Sequence, residues 1–207
     1  KLKIYLSRTT GRGFFRALCN TCKVESYIDD SKLYVSFSSK EINGGLDDLK
    51  QDLLRVAAWC CENCLLINPE KTKFCVFGTS KLLCKMSIPP ITFLGKELSV
   101  AHSVKDLGVI VDKNLSFDEH INALASDLIN KLVMLSRIRH LFDQQSLFII
   151  INSLIFTKLF YCSTVWSGTS KTNIHKLQLV QNFSARILSG KRKFEHITPT
   201  LKELNLL

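Results

Sequence analysis

Two adjacent carboxylates, Asp29 and Asp30, are the residues of this chain best suited to do chemistry. Residues with high β-propensity precede them from Val24 and follow them from Leu33, which predicts a β-hairpin with both carboxylates at its tip. Carboxylate oxygens bind hard divalent cations, and paired metal ions stabilise the attacking and leaving oxygens in phosphoryl transfer. The pair therefore suggests a metal site. The alternative is that these are ordinary turn residues whose side chains bond nearby amides.

The eight cysteines offer a second candidate site. Cys19 and Cys22, and then Cys61 and Cys64, have the spacing of two halves of a zinc site. However, 38 residues separate Cys22 from Cys61, whereas the usual spacing is about 15–20 residues. Cys60 and Cys64 also fall on an apolar helical stripe, where free cysteine packs as a small hydrophobe. We therefore expect no zinc.

A run of three cations, Lys191, Arg192 and Lys193, lies beside Phe194 and forms the third candidate. The chain has a formal charge of +10, with 28 Lys and Arg against 18 Asp and Glu. Six of these cations fall within residues 1–24, which contain no acid. This excess favours a polyanionic partner, and cations beside an aromatic residue are typical of surfaces that bind nucleic acid. The alternative is a solvated loop.

The elements that must position these residues divide into two parts. Up to about residue 112, short apolar runs predict strands around one helix, which starts near Leu46 and ends before Pro69. Beyond that point, apolar residues at helical spacing predict helices, the first opened by a capping box at Ser116–Glu119. The predicted fold class is α+β, a small antiparallel sheet with one helix followed by an all-α region. Strands are predicted at 74–77, 91–94 and 109–111, and later helices around 144–162 and 172–188.

No targeting or membrane segment is predicted. The most apolar stretch, residues 147–161, is interrupted by polar side chains and is too short to span a bilayer. Eight cysteines in 207 residues without a secretory segment indicate reduced thiols. We expect an intracellular protein, nuclear or cytoplasmic, without a membrane partner.

Six segments of the chain form an ordered series. They are YIDDSKLYVSF (27–37), LLINPEKTKFCVFG (65–78), VKDLGVIVDKNLSFDEHI (104–121), FYCSTVW (160–166), KLQLVQNFSARIL (176–188) and HITPTLKELNLL (196–207). The series resembles the reverse transcriptase of non-LTR retrotransposons over residues 23–207. Each segment is weak by itself, but their order is specific.

The resemblance implies a fold and a reaction. Residues 23–112 would form part of a polymerase palm and residues 113–207 a helical thumb-like region, while the basic segment 1–22 is predicted as loop or disordered. The parent would be an RNA-directed DNA polymerase that uses an RNA template, a DNA primer and deoxynucleoside triphosphates. Two Mg²⁺ ions would assist attack of the primer 3′-hydroxyl on the α-phosphate.

The resemblance also implies roles for single residues. Asp29 would bind the catalytic metals, and Asp30 would be the neighbouring acid of the motif. Tyr27 would lie by the primer terminus or the incoming nucleotide. Lys71 would lie near the triphosphate, where a cation stabilises departing pyrophosphate. For Lys71 the alternative is an ordinary surface lysine after a turn.

The resemblance further implies that Leu107 and Gly108 would correspond to the primer-grip turn of the family, where glycine lets the backbone approach the primer. The alternative is that Gly108 only turns the chain. Nucleic-acid contacts are also expected from the cations at 191–193.

One departure from the family limits the expected activity. The family carries a further metal-binding aspartate and a Gln-Gly segment upstream of the hairpin, and residues 1–24 contain neither. The fingers are missing too, so the chemistry cannot be assembled from this chain alone, and we expect an inactive polymerase fragment. The alternative is a non-catalytic remnant that still binds nucleic acid.

Overall fold

The computed structural model describes residues 2–7, 19–27, 30–38 and 41–204. The chain divides into two compact units. The first comprises residues 1–105 and 112–115, and the second comprises residues 106–111 and 116–207. The first unit contains sheets and helices, whereas the second is mainly helical, so the predicted α+β class is confirmed.

A four-stranded sheet organises the first unit. Its strands are β1 (Leu2–Ser7), β2 (Lys23–Tyr27), β3 (Asp30–Val35) and β4 (Lys73–Val76). The order across the sheet is β2-β3-β1-β4, and every neighbouring pair is antiparallel. β3 is therefore a central strand with partners on both sides.

The strand β1 corrects a prediction. A loop was expected throughout residues 1–22, and this is wrong for Leu2–Ser7. Leucine and isoleucine alternate there with lysine and tyrosine, which is the period-two pattern of a half-buried strand, and the basic residues obscured it. Residue 1 and residues 8–18 lie outside the described part of the chain.

One long helix, α1 (Ile42–Glu62), packs against the sheet. Leu49 and Leu53 on the helix are buried together with Leu33 of β3 and Phe74 of β4. The predicted helix is confirmed, although it begins four residues earlier than its apolar stripe because Gly44 and Gly45 are part of it.

Smaller elements complete the first unit and lead into the second. They are a short helix α2 (Ser80–Leu83) and the strands β5 (Ile91–Phe93), β6 (Lys96–Leu98), β7 (Ser103–Asp106) and β8 (Val109–Asp112). β5 pairs with β6, and β7 pairs with β8, each pair as a two-stranded sheet. The three predicted strands are confirmed, but β6 and β7 were not predicted because each has few apolar residues.

The second unit is a bundle of helices. They are α3 (Asp118–Ile138), a 3₁₀ turn (Arg139–Leu141), α4 (Gln144–Ile151), a π-helical turn (Asn152–Phe156), α5 (Thr157–Leu159), α6 (Ser163–Trp166), α7 (Lys171–Ser189) and α8 (Thr198–Glu203). Apolar side chains of α3, α4 and α7 form one core. No helix in the described ranges combines the length and apolarity that crossing a bilayer requires.

The start of α3 differs from the predicted capping box. Phe117, in a left-handed conformation with φ of 60°, precedes the helix instead of Ser116. The Ser116 hydroxyl accepts the Asp118 N–H at 3.3 Å, so it caps the residue two positions on. The capping box requires the serine itself at the helix boundary, and that position is taken by phenylalanine.

Candidate functional site

The hairpin predicted around the carboxylates is present. β2 and β3 are antiparallel, and their register pairs Tyr27 with Asp30. Tyr27 is 58% exposed, and Asp30, the first residue of β3, is half-buried. Ile28 and Asp29 lie outside the described residues. The structure therefore brings Tyr27 and Asp30 side by side at one end of the sheet.

The sheet register brings a third predicted residue to the same end. β1 ends at Ser7, which is opposite Asp30, and β4 begins at Lys73, which is opposite Tyr5. Lys71 is exposed and precedes β4 by two residues, so it lies at the end of the sheet where Asp30 begins β3. β3 and β4 are two strand spacings apart, about 10 Å. Asp30 and Lys71 therefore lie at the same end of the sheet, two strands apart.

The loop that carries Lys71 is fixed by its own hydrogen bonds. The Lys71 N–H donates to the carbonyl of Asn68 at 3.2 Å, and the Thr72 hydroxyl donates to the same carbonyl at 3.1 Å. Thr72 is buried, and the Asn68 side chain accepts the Glu70 N–H at 2.9 Å. The backbone position of Lys71 is thus defined while its side chain extends into solvent.

The burial pattern along β3 indicates which face of the sheet carries Asp30. Ser31 and Leu33 are fully buried, and Leu33 packs in the core with helix α1. Because side chains alternate along a strand, Asp30 lies on the face opposite α1. The hydroxyls of Ser26 and Ser31 are 3.0 Å apart, which links β2 to β3 beside Asp30.

A buried carboxylate, Asp52 on α1, anchors the segment that enters β2. It accepts the backbone N–H groups of Asn20 at 3.1 Å, Thr21 at 3.1 Å and Cys22 at 2.8 Å. It also accepts the Thr21 hydroxyl and pairs with Arg55. Since Cys22 immediately precedes β2, this anchor helps to hold the hairpin in place.

The pKa of Asp52 reflects these contacts. Burial by itself raises the pKa of the carboxyl, but the three backbone N–H donors outweigh it and lower the pKa to about 2. Sequence reasoning missed this residue, although a signal was present. Asp52 falls on the apolar stripe, three residues after Leu49 and four before Val56, where a solvated acid does not fit.

The described residues do not by themselves complete a two-metal site. In the described ranges no group of three or more His, Cys, Asp or Glu side chains is arranged to hold a metal ion. At the end of the sheet, the positions beside Asp30 are Ser7 and Tyr27, neither of which carries a carboxylate.

All eight cysteines are free, and burial raises the pKa of four of them, Cys19, Cys22, Cys60 and Cys75. Burial raises the pKa of Cys19 to about 11 and that of Cys22 to about 12. Cys60 is buried as predicted from the apolar stripe, and burial raises its pKa to about 11. The prediction is wrong for Cys64, which is exposed because the helix ends at Glu62.

The predicted turn at Leu107 and Gly108 joins β7 to β8, and both residues of the turn belong to the second unit. Both residues have positive φ, 44° for Leu107 and 88° for Gly108, as in a type I′ turn. The Tyr161 hydroxyl donates to the Leu107 carbonyl at 2.8 Å, and its ring is 3.4 Å from where a Gly108 Cβ would lie. Tyr161, which sequence reasoning missed, therefore braces the turn.

The three predicted cations follow α7 in the second unit. Lys191 is half-buried, and Arg192 and Lys193 are exposed. The Arg192 N–H donates to the Glu195 carboxylate at 2.6 Å. Lys191 and Lys193 line a groove that also includes residues of α7, whereas Arg192 does not.

One histidine of the second unit is buried. His120 on α3 is only 8% exposed. Its Nδ1 accepts the Ile110 N–H at 3.4 Å, and its ring centre is 6.3 Å from that of Trp166. Burial lowers the pKa of His120.

Comparisons with known proteins give one consistent result. The chain is 27% identical, over 87% of its length, to a probable RNA-directed DNA polymerase from transposon BS of Drosophila melanogaster. It is 28% identical, over 81% of its length, to the RNA-directed DNA polymerase from the mobile element jockey of Drosophila funebris. A probable polymerase from transposon X-element of Drosophila melanogaster is 22% identical over 87% of the chain. No protein-family model and no solved structure matches it significantly.

These relatives agree in class: the chain is similar to a part of the RNA-directed DNA polymerases of Drosophila mobile elements. Its relatives are the reverse transcriptases of non-LTR retrotransposons, which confirms the resemblance seen in the ordered motifs. The chain spans about a fifth of the length of these relatives, 20% of the BS polymerase and 18% of the jockey polymerase.

Proposed function

We propose that this chain supplies part of the palm and the thumb-like region of a polymerase that copies RNA into DNA. The observation that carries the proposal is the end of the four-stranded sheet, where Tyr27 and Asp30 lie side by side and Lys71 enters from the same end. Acidic, aromatic and cationic side chains together suit a primer terminus and a nucleoside triphosphate. The partners of the parent are an RNA template, a DNA primer and deoxynucleoside triphosphates.

The proposed roles follow from the chemistry of each side chain. Asp29 and Asp30 are ligands for Mg²⁺, the cofactor that the family implies. Tyr27 contacts the primer terminus or the nucleotide, and Lys71 stabilises charge on the departing pyrophosphate. The braced turn at Leu107 and Gly108 contacts the primer strand.

The same geometry supports an inactive fragment. A two-metal site draws carboxylates from more than one element, and at this end of the sheet the neighbouring strand offers serine opposite Asp30. Without a further carboxylate, metal binding is weak and the nucleotide is poorly positioned. We therefore expect no primer extension by this chain alone.

Metal binding at the hairpin can be tested on the full chain with Mn²⁺ as a paramagnetic probe for the Mg²⁺ site. We expect selective broadening of the amide signals of Tyr27 and Asp30, lost in the double variant Asp29→Asn, Asp30→Asn. The matched control is Asp47→Asn, Asp48→Asn, which removes another adjacent pair of carboxylates, on α1. Broadening that survives at the hairpin in the first variant would contradict the proposed site.

A second candidate function, a non-catalytic nucleic-acid-binding remnant, is favoured by the cations at 191–193. Binding of this kind is sensitive to salt and indifferent to sequence, and it survives Asp29→Asn. The eight free cysteines support an intracellular place for either function, nuclear or cytoplasmic.

A further inference from the structure

A positively charged groove lies in the second unit. It has a volume of about 620 Å³ and is formed by the end of α3, the residue after it, the second half of α7 and the segment after α7. Four cations line it, Arg139, Arg186, Lys191 and Lys193. No Asp or Glu is among its lining residues in the described part of the chain, so the groove favours an anion.

The cations of the groove are held in place without carboxylates. The Arg186 guanidinium donates to the carbonyl of Arg192. The Arg139 guanidinium lies over Gly190, with one nitrogen 2.9 Å from where a Cβ would stand, and this glycine ends α7 with φ of 74°. Within the described ranges, neither arginine pairs with an acid. Both guanidinium groups thus retain donors for a ligand.

The floor of the groove is apolar. Leu179, Phe183 and Ile187 are four residues apart along α7 and therefore share one face of the helix. Phe183 is half-buried, packed against the core on one side and lining the groove on the other. An aromatic face beside cations is the arrangement on which a nucleic-acid base stacks.

We infer that this groove binds an unpaired segment of single-stranded nucleic acid, with a base on Phe183 and the adjacent phosphates on the four cations. The inference rests on the proposed nucleic-acid function and deepens it by assigning a surface and a form of the ligand. The volume is that of a pocket for a small organic group, which suits an extruded base. A duplex keeps its bases stacked inside and offers only phosphates to such a groove.

The test measures binding of a fluorescein-labelled twelve-nucleotide single strand, and of the corresponding duplex, to the full chain by fluorescence anisotropy. In the double variant Arg139→Gln, Arg186→Gln, the slope of log affinity against log salt should fall by about 1.4, since each single-strand phosphate contact contributes about 0.7. At 0.1 M salt this is about a 25-fold loss of affinity. Lys171→Gln, Lys202→Gln is the matched control, because it removes two cations of the same unit that do not line the groove.

A second variant separates stacking from charge. Phe183→Leu keeps an apolar side chain against the core but removes the aromatic face. We expect single-strand affinity to fall at least about 5-fold, the lower end for loss of one stacked base, with duplex affinity unchanged. The variant Arg139→Lys, Arg186→Lys should keep most of the salt dependence. Circular dichroism melts of every variant distinguish loss of binding from loss of folding.

Four outcomes would overturn the inference. If the glutamine variant binds like its matched control, or Phe183→Leu weakens single strand and duplex equally, the groove is not the site, although nucleic-acid binding stands. If anionic lipid vesicles or a polyglutamate peptide displace the single strand equally from the unaltered chain and from Phe183→Leu, the groove is a general anion-binding surface. If the unaltered chain binds no oligonucleotide, the proposed nucleic-acid function fails together with the inference.

Discussion

Replacement of Asp52 by asparagine tests how the hairpin is held in place. Asp52 is fully buried, and its pKa falls from the ordinary 3.8 to about 2. This lowering corresponds to about 2 kcal/mol of preference for the charged form. Asparagine keeps one acceptor oxygen but turns an NH₂ group toward N–H donors. We expect Asp52→Asn to lower the free energy of unfolding by about 3 kcal/mol, since buried donors lose a charged partner.

The assay is urea unfolding followed by circular dichroism, combined with amide hydrogen exchange. Exchange should accelerate at Asn20, Thr21 and Cys22, whose N–H groups Asp52 accepts. The control is Asp47→Asn on the same helix, because the Asp47 side chain is 66% exposed and its ion pair with Lys50 is at the surface. That change should cost less than about 0.5 kcal/mol.

The direction of the pKa shift determines how the stabilisation by Asp52 changes with pH. The pKa of Asp52 is lower in the folded chain than in the unfolded chain, so its contribution is complete above about pH 4 and is lost as the pH falls toward 2. The difference between the unaltered chain and Asp52→Asn should shrink over that range. Equal stability of Asp52→Asn and Asp47→Asn at pH 7, with unchanged exchange at residues 20–22, would refute the reasoning.

Three further predictions concern the second unit and its controls. Gly108→Ala should lower the free energy of unfolding in urea by about 1–2 kcal/mol, since φ is 88° and the Tyr161 ring is close. The control Gly44→Ala in α1, where the space around the glycine is open, should raise it by about 0.5 kcal/mol. Similar effects at both glycines would contradict the argument that Gly108 avoids backbone strain. Tyr161→Phe removes the hydrogen bond to the turn and should lower the free energy of unfolding by about 1 kcal/mol. Amide hydrogen exchange in β7 and β8 should become faster. Unchanged exchange would show that the hydroxyl does not stabilise the turn. Burial lowers the pKa of His120, so the free energy of unfolding should fall as the pH drops below about 6.5. This loss should be absent in His120→Gln and kept in the control His140→Gln. A loss that persists in His120→Gln would mean that another group titrates.

Local patterns predicted much of the fold. The hairpin around residues 29 and 30 was predicted from β-prone runs on either side of two acids, and α1 from the spacing of its leucines. Both signals are contained in about twenty residues of sequence. The strand β1 was missed because lysines mask its alternation, and because its pairing with β3 and β4 is a long-range choice.

The site was only partly accessible from the sequence. Its residues were identified by resemblance. Their arrangement was not, because the register of three strands determines that Lys71 and Asp30 lie at the same end of the sheet. Asp52 had a local signal, an acid on an apolar stripe. Tyr161 had none, since it lies 54 residues from the carbonyl that it bonds.

The groove illustrates a different limit. The sequence indicated cations at 191–193, but not that Arg139 and Arg186 join two of them around Phe183. Arg192, the middle residue of the run, does not line the groove. A charge run identifies a region, whereas the packing of helices determines which of its members face a ligand.

The central claim is that the end of the sheet carrying Asp30 and Lys71 belongs to a nucleotide site. It is tested most directly by affinity labelling with a 2′,3′-dialdehyde nucleoside triphosphate, which forms an imine with a nearby lysine amine and is trapped by borohydride reduction. Peptide mass spectrometry should find Lys71 modified in preference to Lys73, an exposed lysine two residues away. Excess deoxynucleoside triphosphate should protect it. Equal labelling of both lysines without protection would contradict the claim.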